Sequence, residues 1–275
     1  MTSENSIRLK SGHYMPMLGL GTWMLSGRTC TDIVRKALEM GYKHIDTADR
    51  YNNHAYVAEG MKGFDRGDIF LTTKVWRTDI SRDDIVKSCD RFLSELGTDY
   101  LDLLLVHWPN DDIPITETMN AMGELVHSGK VRSIGVSNFN EGRLGEAVTA
   151  SDVPIDANQV EFHAHLYQSE LLGYCSRNGV ALTAYCPLGR GGLISDPVIS
   201  DIAKSVGRTP AQVALRWLVQ HGIAVIPKST SPAHLRDNMD IFSWKLPAAG
   251  MSRIDAMGAK NRIVDPAFSD EPFFS

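Results

Sequence analysis

The chain has 275 residues, 43% of them hydrophobic and 22% charged, with a net charge of −5. That length suits one barrel domain or two smaller domains, and the composition allows a sizeable core. The chain has no long basic run to attract nucleic acid, no apolar stretch of the ~20 residues a membrane span needs, and no apolar signal region in its polar start MTSENSIRLKSGH.

The expected partners are therefore a small molecule, without nucleic acid or membrane. Cys30, Cys89, Cys175 and Cys186 are widely spaced and form no CxxC pair. They read as reduced thiols of a cytoplasmic protein. A monomer is the default expectation.

A short hairpin from Ile7 to Met15, turning at Ser11-Gly12, opens the predicted elements. Strand-like runs then alternate with helical ones. The runs are Met17–Leu20, Lys43–Ile45, Ile69–Lys74, Leu101–Val106, Ser133–Val136, Ile155–Val160, Ala181–Tyr185 and Ala224–Ile226. Between them the helices have recognisable ends. Ser81 with Asp84 opens one like a capping box, Asp replacing the usual Glu. Its apolar stripe is Ile85, Cys89, Phe92, Leu93 and Leu96, closed by Gly97. Ser169 is expected to cap LLGYCSRN. Thr209-Pro210 supplies an N-cap and a first-turn proline before AQVALRWLVQ. No linker or low-complexity tract divides the chain. Eight β-then-α units predict a single α/β domain over residues 1–275, a (β/α)8 TIM barrel with an N-terminal β-hairpin.

One glycine pair near the start, Gly19-Leu20-Gly21, lacks the third glycine of a dinucleotide fingerprint. It reads as a tight turn, so any nucleotide is expected to be held without a Rossmann unit.

Four polar residues stand out. Asp46, Tyr51, Lys74 and His107 fall at or just after the carboxyl ends of three successive strands, where such a barrel builds its active site. A phenol has a pKa of ~10, and a nearby ammonium stabilises its anion. Lys74 can supply that cation, and Asp46 can hold Lys74. Tyr51 is then a general acid toward a carbonyl oxygen, which a neutral His107 can orient by a hydrogen bond. The set suits hydride addition to C=O. It contains no nucleophile–base pair of the Ser-His kind and no metal shell.

The chain resembles the aldo-keto reductase family over nearly its full length. The matching stretches include GLGTW (19–23), HIDTADRYNN (44–53), TTKVW (72–76), LLLVHWP (103–109), RSIGVSNF (132–139), ANQVEFH (157–163), AYCPLG (184–189) and IPKSTSPAHLRDN (226–238). The likeness is greatest to the short bacterial branch with 2,5-diketo-D-gluconate and methylglyoxal reductases. It implies an NADP-dependent oxidoreductase that reduces aldehydes, ketones, dicarbonyls or keto-sugars, with Tyr51 as proton donor and Asp46, Lys74 and His107 completing a tetrad.

By the same resemblance, NADPH lies extended across the barrel mouth. Gly21, Thr22, Trp23 and Asp46 belong to its site. Ser137, Asn138 and Gln159 match residues holding the nicotinamide carboxamide, and Tyr185 matches the ring stacked on it. Cys186, Pro187, Leu188 and Gly189 match a pyrophosphate loop. Lys228, Ser229 and Thr230 match the 2′-phosphate site, with His234, Asp237 and Asn238 nearby. Trp23, Tyr51, Trp76, His107 and Trp108 are the expected substrate wall of a small, open pocket.

Three positions depart from the family pattern. Cys186 stands where Ser is frequent, His54 where Glu is usual, and His234 where many members have Arg. The last weakens the grip on a 2′-phosphate, so NADH is expected to serve at a disadvantage. The competing readings are a non-catalytic nucleotide-binding regulatory barrel and a metal-using hydrolase or isomerase.

Overall fold

Side chains along a strand point alternately to opposite faces, so each strand of a barrel sends every second residue inward. A computed structural model describing residues 5–258 and 261–266 shows what that alternation builds. The antiparallel hairpin comprises β1 (Ser6–Arg8) and β2 (Tyr14–Pro16), with Ile7 opposite Met15 and Gly12 at φ +90° in the turn. Eight parallel strands follow, each beside the next: β3 (Leu20–Gly21), β4 (His44–Asp46), β5 (Phe70–Val75), β6 (Leu103–Val106), β7 (Ile134–Ser137), β8 (Ile155–Glu161), β9 (Ala181–Tyr185) and β10 (Ala224–Val225). The helices are α1 (Gly27–Met40), α2 (His54–Met61), α3 (Arg82–Leu96), α4 (Ile115–His127), α5 (Glu141–Ala150), α6 (Ser169–Arg177), α7 (Pro197–Val206), α8 (Pro210–Gln220), α9 (Pro232–Met239) and α10 (Ala248–Asp255).

The ring closes where the first and last strands meet. Leu18 pairs with Val225 in parallel, the Gly19 N–H donates to the Val225 carbonyl at 2.9 Å, and the Val225 N–H donates to Met17 at 2.7 Å. The seam needs a glycine: a Cβ on Gly21 would stand 2.5 Å from the Ile226 carbonyl oxygen. The (β/α)8 barrel with its N-terminal hairpin is the fold.

Several element boundaries differ from the sequence reading, for physical reasons. β10 stops at Val225 because Pro227 has no N–H to continue the ladder. The fourth barrel strand begins at Leu103, not Leu101, since the Asp102 carboxylate accepts the Leu71 N–H at 3.0 Å and interrupts the ladder. Ser169 is the first residue of α6, whose N-cap is Gln168, and it caps nothing. At α3 the Ser81 hydroxyl accepts from the Asp84 N–H but donates its own proton to the Asp84 carboxylate at 2.6 Å. Asp is a methylene too short to reach back as the Glu of a capping box does. The complete box lies at α8, between Thr209 and Gln212.

Inside the barrel, Phe70, Leu103, Leu105, Ala157, Ala181 and Ala224 form one buried cluster with Leu9 and Met15 of the hairpin. The hairpin therefore stoppers the N-terminal end of the strands, and the Ser11 N–H donates to Asp156 Oδ1 at 2.9 Å there. A larger apolar layer fills the space between sheet and helices. Burial pushes the thiols of Cys30 and Cys175 up to about 12 and that of Cys89 to about 11, so all three are inert. No helix among the described residues is long and apolar enough to cross a membrane.

Candidate active site

At the carboxyl ends of the strands the inward face turns from apolar to chemical. Asp46 follows His44 by two residues on β4, and Lys74 follows Thr72 on β5. His107, just past β6, follows Leu105. Ser137 and Tyr185 end the inward rows of β7 and β9, and Gln159 lies on the inward row of β8, one step before its end. One period-2 rule thus delivers an acid, an amine, an imidazole, a hydroxyl, an amide and a phenol to one rim.

Lys74 is fully buried, and its Nζ donates to Asp46 Oδ1 at 2.6 Å and to the Thr47 carbonyl at 2.9 Å. Burial lowers the Lys74 pKa, while Asp46 opposes that shift. Gln159 Nε2 donates to the other oxygen, Asp46 Oδ2, at 2.7 Å.

Tyr51 ends a one-turn helix, Asp49–Tyr51, that follows β4. Buried Asn53 braces this turn. It donates to the carbonyls of Thr22 and Leu25, both at 3.0 Å, and accepts from the Thr47 hydroxyl at 2.6 Å. Lys74 Nζ lies 5.2 Å from the Tyr51 ring centroid. The sequence reading expected that cation to lower the phenol pKa. Instead burial pushes it well up, and the Asp46 charge adds to the effect. Asp46 neutralises the ammonium, so Tyr51 keeps its proton, which is the form a proton donor needs.

Burial, then Lys74 and Arg50, hold the His107 imidazole well below its usual range, so it is neutral. Its ring meets those of Tyr51 and Trp76 edge-on, at centroid distances of 5.8 and 5.2 Å. His107 Nδ1 is buried with no hydrogen-bond partner among the described residues.

Asp46, Tyr51 and His107 line a cavity of about 670 Å3. Trp23, Trp76 and Trp108 are on its wall. Trp23 is 42% exposed at the mouth and Trp108 only 5%. Gly21, Ser137, Asn138, Gln159, Tyr185, Cys186, Pro187, Leu188 and Lys228 also line it. Asn138, at φ +65°, accepts from the Tyr185 hydroxyl at 2.8 Å and donates to the His107 carbonyl at 3.0 Å. Ser137 donates to the Gln159 carbonyl at 2.7 Å.

Other expected residues stand outside this cavity. Thr22 is buried with its hydroxyl on the Asp46 carbonyl, and Gly189 begins a one-turn helix. Ser229 is buried, while Thr230, His234 and Asp237 are exposed around the start of α9. Asn238 is buried on α9, where the Tyr42 hydroxyl donates to the Leu235 carbonyl at 3.0 Å. Cys186, by contrast on the cavity wall, is half-buried at φ +49°, and burial raises its thiol. His54 is buried between Glu95 Oε2, 2.8 Å from Nδ1, and Thr73 Oγ1, 2.9 Å from Nε2. Its partner is thus a carboxylate on α3, and Arg91 ties that carboxylate to Asp49 beside Tyr51.

Sequence reasoning missed Arg50, Arg190, Val264 and Pro266, all on the cavity wall. Arg190 lies over the Trp23 ring at 4.8 Å and Arg50 over Trp76 at 4.7 Å. A basic residue amid Gly189, Gly191 and Gly192 was a usable signal for Arg190; nothing local marks Val264. No group of His, Cys, Asp or Glu among the described residues could hold a metal ion.

Comparison with known proteins places this geometry. Residues 17–259 match the model of the aldo/keto reductase family. A glyoxal reductase of Bacillus subtilis is 38% identical over 263 residues, covering 94% of this chain and 95% of that protein. The methylglyoxal reductase DkgB of Yersinia pestis is 37% identical, covering 92% and 96%. A solved structure provisionally named as a 2,5-diketo-D-gluconic acid reductase B superimposes with a TM-score of 0.92 at 40% identity, covering 96% of this chain and 95% of that one.

Proposed function

The chain belongs to the aldo/keto reductase family of oxidoreductases, and on that premise we propose that it reduces small aldehydes, ketones, α-dicarbonyls or keto-sugars to alcohols with NADPH. The observation that carries the proposal is the convergence of Tyr51, His107 and the 2.6 Å Asp46–Lys74 pair on one cavity.

The residues present fit a nicotinamide cofactor. Gln159 lines the cavity and gives its amide N–H to Asp46, so its oxygen is the group it can offer to a carboxamide N–H. Tyr185 offers a ring beside it, and Lys228 offers an exposed cation at the same cavity, suited to a phosphate. When bound, the cofactor supplies hydride to the carbonyl carbon. The protein's part is the proton and the field. Neutral His107 donates a hydrogen bond to the carbonyl oxygen and fixes its direction. Tyr51 delivers its phenolic proton as charge builds on that oxygen. Burial opposes the phenolate left behind, and Lys74, held by Asp46, is the nearby cation that makes it tolerable. Trp23, Trp76 and Trp108 exclude water from the reacting carbon.

The deciding experiment follows NADPH absorbance against a panel that includes glyoxal, methylglyoxal and simple aldehydes. Turnover is expected with the dicarbonyls. NADPH binding without turnover of any panel member would instead favour the regulatory barrel.

A further inference from the structure

We propose that Glu161 is a positioning residue that sets substrate specificity by clamping residues 261–266 as a wall of the cavity. The proposal rests on the reductase reading for what the cavity binds, but the clamp itself does not.

Alternation along β8 puts Gln159 and Glu161 on one face. Gln159 serves Asp46, and Glu161, one inward step further on, reaches the chain's last described segment. Its carboxylate is fully buried and divides its two oxygens. Oε1 accepts the Ile263 N–H at 2.7 Å, and Oε2 accepts the Val264 N–H at 2.7 Å. His163 Nε2 stands 3.0 Å from Oε1. Around this clamp, the Asn261 N–H donates to the His165 carbonyl at 2.9 Å, and Gln168 Nε2 donates to the Glu161 carbonyl at 2.7 Å.

Residues 261–266 belong to no helix or strand. Among the described residues, the Ile263 and Val264 N–H groups hydrogen-bond to this side chain, which is itself fully buried. Only a carboxylate presents two charged acceptor oxygens to two adjacent N–H groups; an amide would turn an NH2 toward one of them. Val264 and Pro266 line the same cavity as Tyr51 and His107. The wall they form is as firm as the clamp behind it, although Glu161 is not among the residues lining the cavity.

The test uses the full-length protein and two variants. Glu161→Gln breaks the clamp from the acceptor side, and Val264→Pro removes one donor without touching the buried carboxylate. Amide hydrogen exchange at Ile263 should quicken about tenfold or more in both variants, with β5 amides unchanged. The KM for a small dicarbonyl should rise about tenfold, and discrimination against bulky aldehydes should fall. The kcat and NADPH Kd should stay within about threefold. The double variant should be no worse than the worse single one. Unchanged exchange at Ile263 would overturn the clamp. A parallel fall in kcat and NADPH affinity, or additive losses, would overturn the specificity role and leave a merely structural residue. If the parent protein turns over no carbonyl, the reductase reading fails, and the exchange measurement still decides the clamp.

Discussion

Gln159 donates an amide hydrogen to Asp46 at 2.7 Å, on the carboxylate oxygen that Lys74 does not use. A side chain expected to touch the cofactor thus also completes the partners of a buried ion pair. The Asp46 carboxylate has a cation on one oxygen and an N–H donor on the other, which is what a buried charge requires. Asp46→Asn removes the counter-charge and leaves Lys74 buried with an amide. We expect a loss of about 3–5 kcal/mol in folding stability together with loss of activity. Urea unfolding measures the first. A variant as stable as the parent would show that Lys74 sheds its proton at little cost.

Tyr51→Phe removes one hydroxyl from a site whose phenol burial keeps protonated. Carbonyl reduction should fall by about 10²–10⁴, with NADPH affinity within a few-fold of the parent, since a positioned proton donor contributes about that much to rate. Stopped-flow reduction and fluorescence titration separate the two quantities. Near-normal turnover would remove Tyr51 from the proposed role.

The pocket should favour small carbonyls. Its volume of about 670 Å3 must hold substrate beside the nicotinamide end of the cofactor. The connection from His107 to α4 is short, and half-exposed Trp23 at the mouth cannot enclose a bulky apolar ligand. In a mixed panel, methylglyoxal or a keto-sugar should therefore give a higher kcat/KM than a steroid ketone. The reverse order would refute the size argument.

Cofactor choice should be modest. Lys228 is exposed at the cavity end, and His234 is exposed on α9. An imidazole lacks the permanent fork of charge that arginine offers a phosphate. On the proposed NADPH reading, NADPH should be preferred over NADH, and His234→Arg should widen the ratio of kcat/KM values about tenfold. An unchanged ratio would mean that His234 does not meet the 2′-phosphate.

Stability should fall with acid in a particular window. Burial lowers the pKa values of His44, His54 and His107 in the folded state. In the unfolded chain they titrate near ~6.5. Unfolding below that pH therefore takes up protons, so stability is full above about pH 6.5 and declines as pH falls. The slope reaches about 1.4 kcal/mol per pH unit for each histidine. Denaturation curves at several pH values between 5 and 8 check this. His54→Gln should flatten the slope by about one proton, and a flat profile in the parent would refute the linkage.

Much of this was legible in the sequence because strands announce their inward face. The runs ending at Asp46, Lys74 and His107 could be aligned by eye, and the barrel follows from eight such units. What escaped was set by contacts distant in sequence. Asp102 interrupts a ladder with its side chain, Glu161 reaches Ile263 and Val264, and His54 finds its partner on α3. The net direction of the Tyr51 shift escaped for a related reason. Its sign depended on how completely Asp46 neutralises the ammonium and how deeply the phenol is buried, and neither can be read from spacing.

The seam between Leu18 and Val225 also has a meaning in time. A ribosome delivers Leu18 long before Val225, so the curl of strands stays open until β10 has emerged. Contacts so far apart in sequence bear the full entropy of loop closure before they return anything. Gly21 and Lys228 flank that seam and also face the cavity. The joint that closes the ring is thus also an edge of its mouth, and the cavity lacks a complete wall until that joint is made.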